Sequence, residues 1–107
     1  MILATTEAVH GYEVAETLGL VCGSAVRACH VGVDVESAMQ NLVGGELVHY
    51  TKLLAEAREQ ALDRVIAEGR ARGANAIVAL RFTTSEIASG AAEILAYGTA
   101  VKLRGIS

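Results

Sequence analysis

The side chains of this chain best suited to holding a metal ion are two cysteines and three histidines, namely Cys22, Cys29, His10, His30 and His49. Thiolates and imidazoles are the ligands that zinc and copper ions prefer, and a closed site usually holds about four of them. Cys29 and His30 are adjacent in the chain. We therefore predict that any transition-metal site includes Cys29 and His30, with further ligands from His10, His49 or a neighbouring subunit.

Cys22 does not fit the same site on spacing alone. In a single strand over residues 18–30, Cys22 and Cys29 face opposite sides, while Cys22 and His30 share a face but lie roughly 26 Å apart. A hairpin near Ser24 would bring the cysteines together, but no Asn-Gly type of turn supports it. The alternative is that both cysteines are free thiols that act as small buried apolar side chains.

The sequence offers no recognisable catalytic motif. It lacks the phosphate-binding loop, the dinucleotide-binding glycines, the H-E-x-x-H zinc motif and the G-x-S-x-G nucleophile turn. Ser24 has no histidine or aspartate beside it to act as a base. We predict a non-catalytic protein that binds a heavy-metal ion or a small ligand at subunit interfaces. The alternatives are a purely structural scaffold and an enzyme whose site forms between subunits from Arg27 with Glu46 or His49.

Composition limits the class of protein further. A chain of 107 residues has room for one domain, over residues 1–107. Its net charge of −3 gives no attraction for nucleic acid, and its longest apolar run, residues 76–80, is too short to span a membrane. The first seven residues lack the basic flank of a signal peptide, so we expect a cytoplasmic protein.

Periodicity places one long helix over residues 49–72. Leu54, Ala57, Ala61 and Val65 form an apolar stripe along it, and Gly73 supplies the left-handed residue that ends a helix. The acidic and basic residues on its other side form two i,i+4 pairs, Arg64 with Glu68 and Glu68 with Arg72. A shorter helix is predicted from an Asp34 N-cap to a Gly44-Gly45 C-cap.

The remaining pattern predicts strands over residues 2–6, 18–31, 75–84 and 93–103, with a helical turn or two over residues 12–18. Gly23 is the expected place for a bulge. The last two strands should pair antiparallel, and the long helix, at roughly 35 Å, matches a ten-residue strand in length. The predicted fold is α+β, with a two-layer arrangement in which one long helix covers an antiparallel sheet.

Both faces of the last two strands are apolar, although one helix can cover only one face. Along residues 93–103, Ile94 and Ala96 point one way, whereas Tyr97 and Val101 point the other. In the partner strand, Ile77 and Ala79 point to one face of the sheet. The other face carries Val78, Leu80 and Phe82. We therefore predict a homo-oligomer in which a second copy covers the face that carries Tyr97 and Val101.

These features together resemble a known family. The segment from Gly19 to Arg27, the Gly44-Gly45 pair, Tyr50, the Ala57-Arg58-x-x-Ala61 pattern and the segment from Gly73 to Val78 are similar to the YbjQ-like family of small bacterial and archaeal proteins, which carries a heavy-metal-binding label. The resemblance implies a fold like the dodecin subunit, strand–helix–strand–strand, with an extra N-terminal strand. It also implies assembly into a homopentameric ring.

Overall fold

The computed structural model describes residues 1–28, 44–88 and 91–106. These residues form four strands and a long helix: β1 (Ile2–Leu3), β2 (Tyr12–Ala28), α1 (Gly45–Ala71), β3 (Ala76–Ala88) and β4 (Ala91–Gly105). The short helix predicted from Asp34 lies outside the described residues, as do Cys29 and His30.

The strands form one sheet in the order β1-β3-β4-β2, with α1 packed on one face. β4 pairs antiparallel with both β2 and β3, as predicted for the β3–β4 hairpin, while the two residues of β1 pair parallel with the start of β3. The α+β class and the strand–helix–strand–strand core, here β2–α1–β3–β4 with β1 added, are confirmed. The sheet is mixed rather than purely antiparallel because β1 runs along β3.

β2 begins six residues earlier than the predicted strand. The helical turns expected over residues 12–18 are wrong, because this segment pairs with the end of β4, from Tyr12 opposite Gly105 onward. Two register shifts interrupt the pairing, and Gly19 adopts a φ of 101° at the second of them. Gly23, where a bulge was predicted, pairs regularly with Ala96. Pairing with a distant strand thus overrides the local helical spacing.

The structure confirms the predicted apolar stripe of α1 and its end before Gly73. Ala57, Ala61 and Val65 are buried, and Gly73 follows the helix with a φ of 83°. Gly44 stands at the N-cap of α1 with a φ of 56°, so it begins this helix, in contrast to the predicted C-cap role. No helix within the described residues is long and apolar enough to cross a membrane.

Gly23 allows α1 to approach β2 at backbone distance. A Cβ atom built on Gly23 would lie 2.6 Å from Cβ of Arg64, 2.7 Å from the carbonyl oxygen of Ala61 and 2.8 Å from the amide nitrogen of Val65. These distances are shorter than any real side chain tolerates. The glycine therefore marks a close approach of strand and helix.

A bulge in β3 changes which side chains reach the helix. The register shifts between Val78 and Arg81, and Ala79 there adopts a φ of 52°, which is unusual for a residue with a side chain. As a result, Leu80 joins Ile77 in the cluster under α1. The predicted grouping of Leu80 with Val78 is wrong because strict alternation fails at a bulge.

The other face of the sheet is covered at one end by the N-terminal segment. Ile2 and Val9 pack against a second buried cluster, which consists of Ala76, Val78, Val101 and Leu103. Val101 is 2% exposed there. It belongs to the core of the single chain, so it is not available to an interface as the sequence predicted.

Candidate functional site

The predicted metal ligands Cys29 and His30 directly follow Ala28, the last residue of β2. Ala28 lies opposite Ala91, the first residue of β4. This end of β2 therefore lies beside the connection between β3 and β4. Across the parts of the chain that the structure describes, no three His, Cys, Asp or Glu side chains come together as a metal site.

Cys22 is a free and exposed thiol. It lies opposite Tyr97 of β4, which in turn lies opposite Arg81 of β3, so the three side chains form one row across the sheet. The interpretation of Cys22 as a buried apolar side chain is therefore wrong. The pairing of β2 with β4 along residues 12–28 also excludes the hairpin near Ser24 that would have folded β2 back on itself.

The sheet face opposite α1 carries a group of exposed apolar side chains, which we call the open face. Val21 and Ala25 are buried under α1, so alternation along β2 turns Leu20, Cys22 and Val26 to the open face. Leu20 is 64% exposed and Val26 is 47% exposed. In β4 the same face includes Leu95 and Tyr97, by their pairing with Ser24 and Cys22. Polar groups surround them, namely Arg81, Thr83, Glu93 and Thr99.

Arg27, the candidate cation of an intersubunit site, is partly exposed, and its Nη1 donates a 2.9 Å hydrogen bond to the carbonyl of Val26. Glu46 and His49 lie at the start of α1. The contacts of Arg64 with Ser24 and of Arg72 with Leu18 show that α1 runs antiparallel to β2, so the start of α1 and Arg27 lie on the same side of the Arg64–Ser24 contact. The intersubunit site of Arg27 with Glu46 or His49 stays a prediction.

Charged side chains of α1 bond the backbone of β2, an arrangement that the sequence did not predict. Three side chains of α1, namely Arg64, Glu68 and Arg72, contact backbone groups of β2. Of the two predicted helical ion pairs, Glu68 with Arg72 is present at 3.0 Å, whereas Arg64 instead donates to the carbonyl of Ser24. The i,i+4 spacing was visible in the sequence, but the partner strand was not.

The sequence is similar to one family along nearly its whole length. A profile of the YbjQ_1 family, described as "Putative heavy-metal-binding", matches residues 1–104. A "UPF0145 protein" of Halorubrum lacusprofundi is 57% identical over 97% of this chain and 100% of its own length. Another, from Archaeoglobus fulgidus, is 55% identical over 97% of this chain and 96% of its own length.

A solved structure shows a similar fold. The crystal structure of a protein of unknown function from the DUF74 family of Pediococcus pentosaceus superposes with a TM-score of 0.59 at 15% identity, and covers 97% of this chain and 98% of its own. At this identity the likeness concerns the fold alone. The family assignment rests on the profile match over residues 1–104 and on relatives that are 57% and 55% identical to this chain. This chain is a member of the YbjQ-like family.

Proposed function

We propose that this protein is a non-catalytic, ring-forming homo-oligomer that binds a transition-metal ion between subunits. The observation that carries the assembly is the open face, where Leu20, Val26 and Tyr97 are 64%, 47% and 36% exposed on the same side of the sheet. Adjoining exposed apolar side chains on one sheet face are typical of a surface that another protein covers. A second copy of this chain is the partner that the proposal names.

The dimensions of the chain support a partner. The Cα radius of gyration is 16.9 Å, and the principal extents are 54 × 22 × 16 Å. A compact chain of this length would have a radius of gyration of about 13 Å. The accessible surface is 6357 Å², whereas a monomer of this mass typically has about 5,700 Å². Such a thin two-layer subunit leaves surface that association would bury.

The number of subunits in the proposal comes from the family resemblance, which implies a pentamer. An odd-numbered ring requires a heterologous interface, in which two different surfaces of the subunit meet. The open face of one copy would then pack against a different surface of its neighbour. In such a ring every subunit boundary is equivalent, so a site formed at one boundary occurs at each of them.

The metal part of the proposal combines the family description with the adjacent soft ligands Cys29 and His30. Two ligands do not complete a tetrahedral site, and the described residues of one chain supply no three-ligand cluster. The proposed sources of the missing ligands are a neighbouring subunit, His10 and His49. The two alternatives are a scaffold without metal and an enzyme with an intersubunit site that includes Arg27, Glu46 or His49.

The assembly is tested by light scattering coupled to size-exclusion chromatography at micromolar concentration. The proposal expects about five times the subunit mass of 11.1 kDa. Tyr97→Asp should give monomers, because an unpaired charge loses its hydration when it is buried at an interface. Val48→Asp is the matched control, since Val48 is 70% exposed but lies on α1. A wild-type mass of one subunit would refute the proposed assembly.

The proposed metal binding is tested by calorimetric titration of the protein with Zn²⁺, Cu²⁺ and Ni²⁺. We expect the Cys29→Ala, His30→Ala double variant to lose binding, whereas a Cys22→Ala variant should keep it. Affinity should also fall below about pH 6, because the binding forms are thiolate and neutral imidazole. Equal binding by the Cys29, His30 variant and the wild type would exclude this site, and absence of binding by both would favour the scaffold.

The enzymatic alternative has its own test. An intersubunit site with Arg27 and His49 would give turnover in a broad substrate screen, and that turnover would disappear in His49→Ala. The proposal expects no turnover, with the wild type and the His49→Ala variant giving the same blank result. Turnover that depends on His49 and on the assembled state would replace the binding proposal by an enzymatic one.

A further inference from the structure

The outer edge of β2 is a place where a strand of another copy of this chain can pair. β2 is 17 residues long and, among the strands that the structure describes, it is the last of the sheet, with β4 as its neighbour. The backbone N–H and C=O groups on the other side of such a strand form a template on which a strand of a second chain can add. Long unprotected edges of this kind lead to uncontrolled association.

Three charged side chains of α1 occupy part of this edge. Arg64 donates a hydrogen bond to the carbonyl of Ser24. Glu68 accepts one from the amide of Cys22 at 3.3 Å. Arg72 donates one from Nη1 to the carbonyl of Leu18 at 3.1 Å, and its Nη2 bonds Glu68 at 3.0 Å.

These backbone groups are on the outer side of β2. In an antiparallel pair, alternate residues direct their N–H and C=O groups to the partner strand, and the residues between them direct theirs away. Cys22 and Ser24 belong to the second set, because their groups bond α1 rather than β4. Leu18 lies at the register shift between Thr17 and Gly19, where it has no partner residue in β4.

The spacing of Arg64 and Glu68 suits the strand beneath them. Four helical residues advance about 6 Å, and two strand residues advance about 6.6 Å, so Arg64 and Glu68 stay in step with Ser24 and Cys22. The charges also alternate correctly, since arginine donates to each carbonyl and glutamate accepts from the amide. The close approach of α1 at Gly23 brings Arg64 within reach of the edge, and Nη1 of Arg72 lies 3.1 Å from a Cβ built on Gly19.

We infer that Arg64, Glu68 and Arg72 form an edge lock, which keeps a strand of a second copy from adding to β2 over residues 18–24. A strand that docks there must first displace three charge-assisted hydrogen bonds, which are stronger than neutral ones. The edge lock does not depend on the proposed function, because the open face and the outer edge of β2 are different surfaces. It confines association to surfaces other than this edge.

The test compares two triple variants with the wild type. Arg64→Ala, Glu68→Ala, Arg72→Ala removes the edge lock, whereas Arg58→Ala, Glu59→Ala, Arg70→Ala makes the same charge change at other exposed positions of α1. We expect the first variant to form species heavier than the wild type, increasing with concentration and binding thioflavin T, and the control to keep the wild-type mass. A first variant with the wild-type mass at every concentration would overturn the inference.

A second measurement decides the matter if the triple variant fails to fold. In Glu68→Ala, amide hydrogen exchange at Cys22 should become at least tenfold faster, while the amides of Val21 and Gly23, which face β4, keep their wild-type rates. Glu68→Gln retains an acceptor oxygen and should restore most of the protection. Unchanged exchange at Cys22 in Glu68→Ala would show that Glu68 does not hold the edge.

Discussion

On the α1 side of the sheet, Val21, Ile77 and Ala100 are fully buried, whereas on the open face Leu20 and Tyr97 remain 64% and 36% exposed. The covered side combines alanines with larger aliphatic side chains, and glycine at position 23 lets helix and strand backbones meet. The open face combines larger apolar side chains with Arg81, Thr83 and Glu93. One face is therefore packed within the chain, and the other has the mixed composition of a surface that meets a partner.

This difference separates the residues that stabilise the single chain from those that the chain leaves exposed. The residues under α1 contribute to the stability of the single chain, because burial removes their apolar area from water. The residues of the open face contribute little until another molecule covers them. Substitutions on the two faces should therefore affect different measured quantities.

The largest expected effect is the loss of a buried side chain under α1. Ile77→Ala should lower the free energy of unfolding by about 2–5 kcal/mol, because Ile77 is fully buried and the substitution leaves a cavity. Leu20→Ala on the open face should change the free energy of unfolding of the subunit by less than about 0.5 kcal/mol. Urea denaturation at several protein concentrations measures both, since an effect through association varies with concentration. Equal losses for the two variants would contradict the contrast between the faces.

The second prediction concerns the close approach of α1 and β2. Gly23→Ala should lower the free energy of unfolding by about 1–3 kcal/mol, because the added Cβ meets the backbone of α1 below 3 Å and forces the elements apart. Gly105→Ala at the end of β4 is the control, since nothing lies within 4 Å of a Cβ built there. A stable Gly23→Ala variant with unchanged spectra would mean that the helix does not pack at backbone distance.

The third prediction concerns the covered end of the other face, where Asn75 joins the start of β3 to β4. Its Nδ2 donates to the carbonyl of Leu103 at 2.9 Å, and its Oδ1 accepts from the amide of Leu103 at 2.7 Å. Asn75→Ala should cost about 1–2 kcal/mol in thermal or urea unfolding, since two hydrogen bonds are lost. Asn75→Asp retains the acceptor and should lose less. A cost as large as that of Asn75→Ala would show that the acceptor contributes little.

The smallest expected effect is at an exposed ion pair of β2 and β4. Glu13 Oε1 accepts from Arg104 Nη2 at 2.6 Å, but the two side chains are 48% and 67% exposed. Glu13→Gln should therefore change the free energy of unfolding by less than about 0.5 kcal/mol, and the difference should vanish at high salt. Glu16→Gln, which breaks the looser 3.9 Å contact with Lys102, is the companion measurement and should have no effect. A salt-independent loss at Glu13 would indicate a pair that is more shielded than its exposure suggests.

Local patterns in the sequence were sufficient for α1 and for the β3–β4 hairpin. The apolar period through Ala57, Ala61 and Val65 depends on neighbours three or four residues apart, and Gly73 ends the helix by its own backbone freedom. The hairpin joins two apolar segments that are close in the chain. These elements are decided by short-range contacts, so they were predicted from residue types and spacing.

The start of β2 and the alternation of β3 depended on contacts between distant residues. Tyr12 is in a strand because Gly105 lies opposite it, and no local pattern encodes a partner so far away in the chain. Leu80 changes face because of the bulge at Ala79, which is also held by the N-terminal segment through the amide of Ala79 and the carbonyl of Thr6 at 2.8 Å. A single bulge reverses the side-chain alternation on which a strand prediction rests.

For the candidate site, the sequence by itself determined that Cys29 and His30 are residue types that can bind a metal ion. It also determined the family, whose description names heavy-metal binding. Only the tertiary structure decided that Cys22 is exposed on the open face, that Val101 is buried within the chain, and that Arg64 bonds Ser24 rather than Glu68. The physical reason is the same in each case. Residue type and spacing specify what a side chain can do, whereas burial and hydrogen-bond partners depend on elements that only the folded chain brings together.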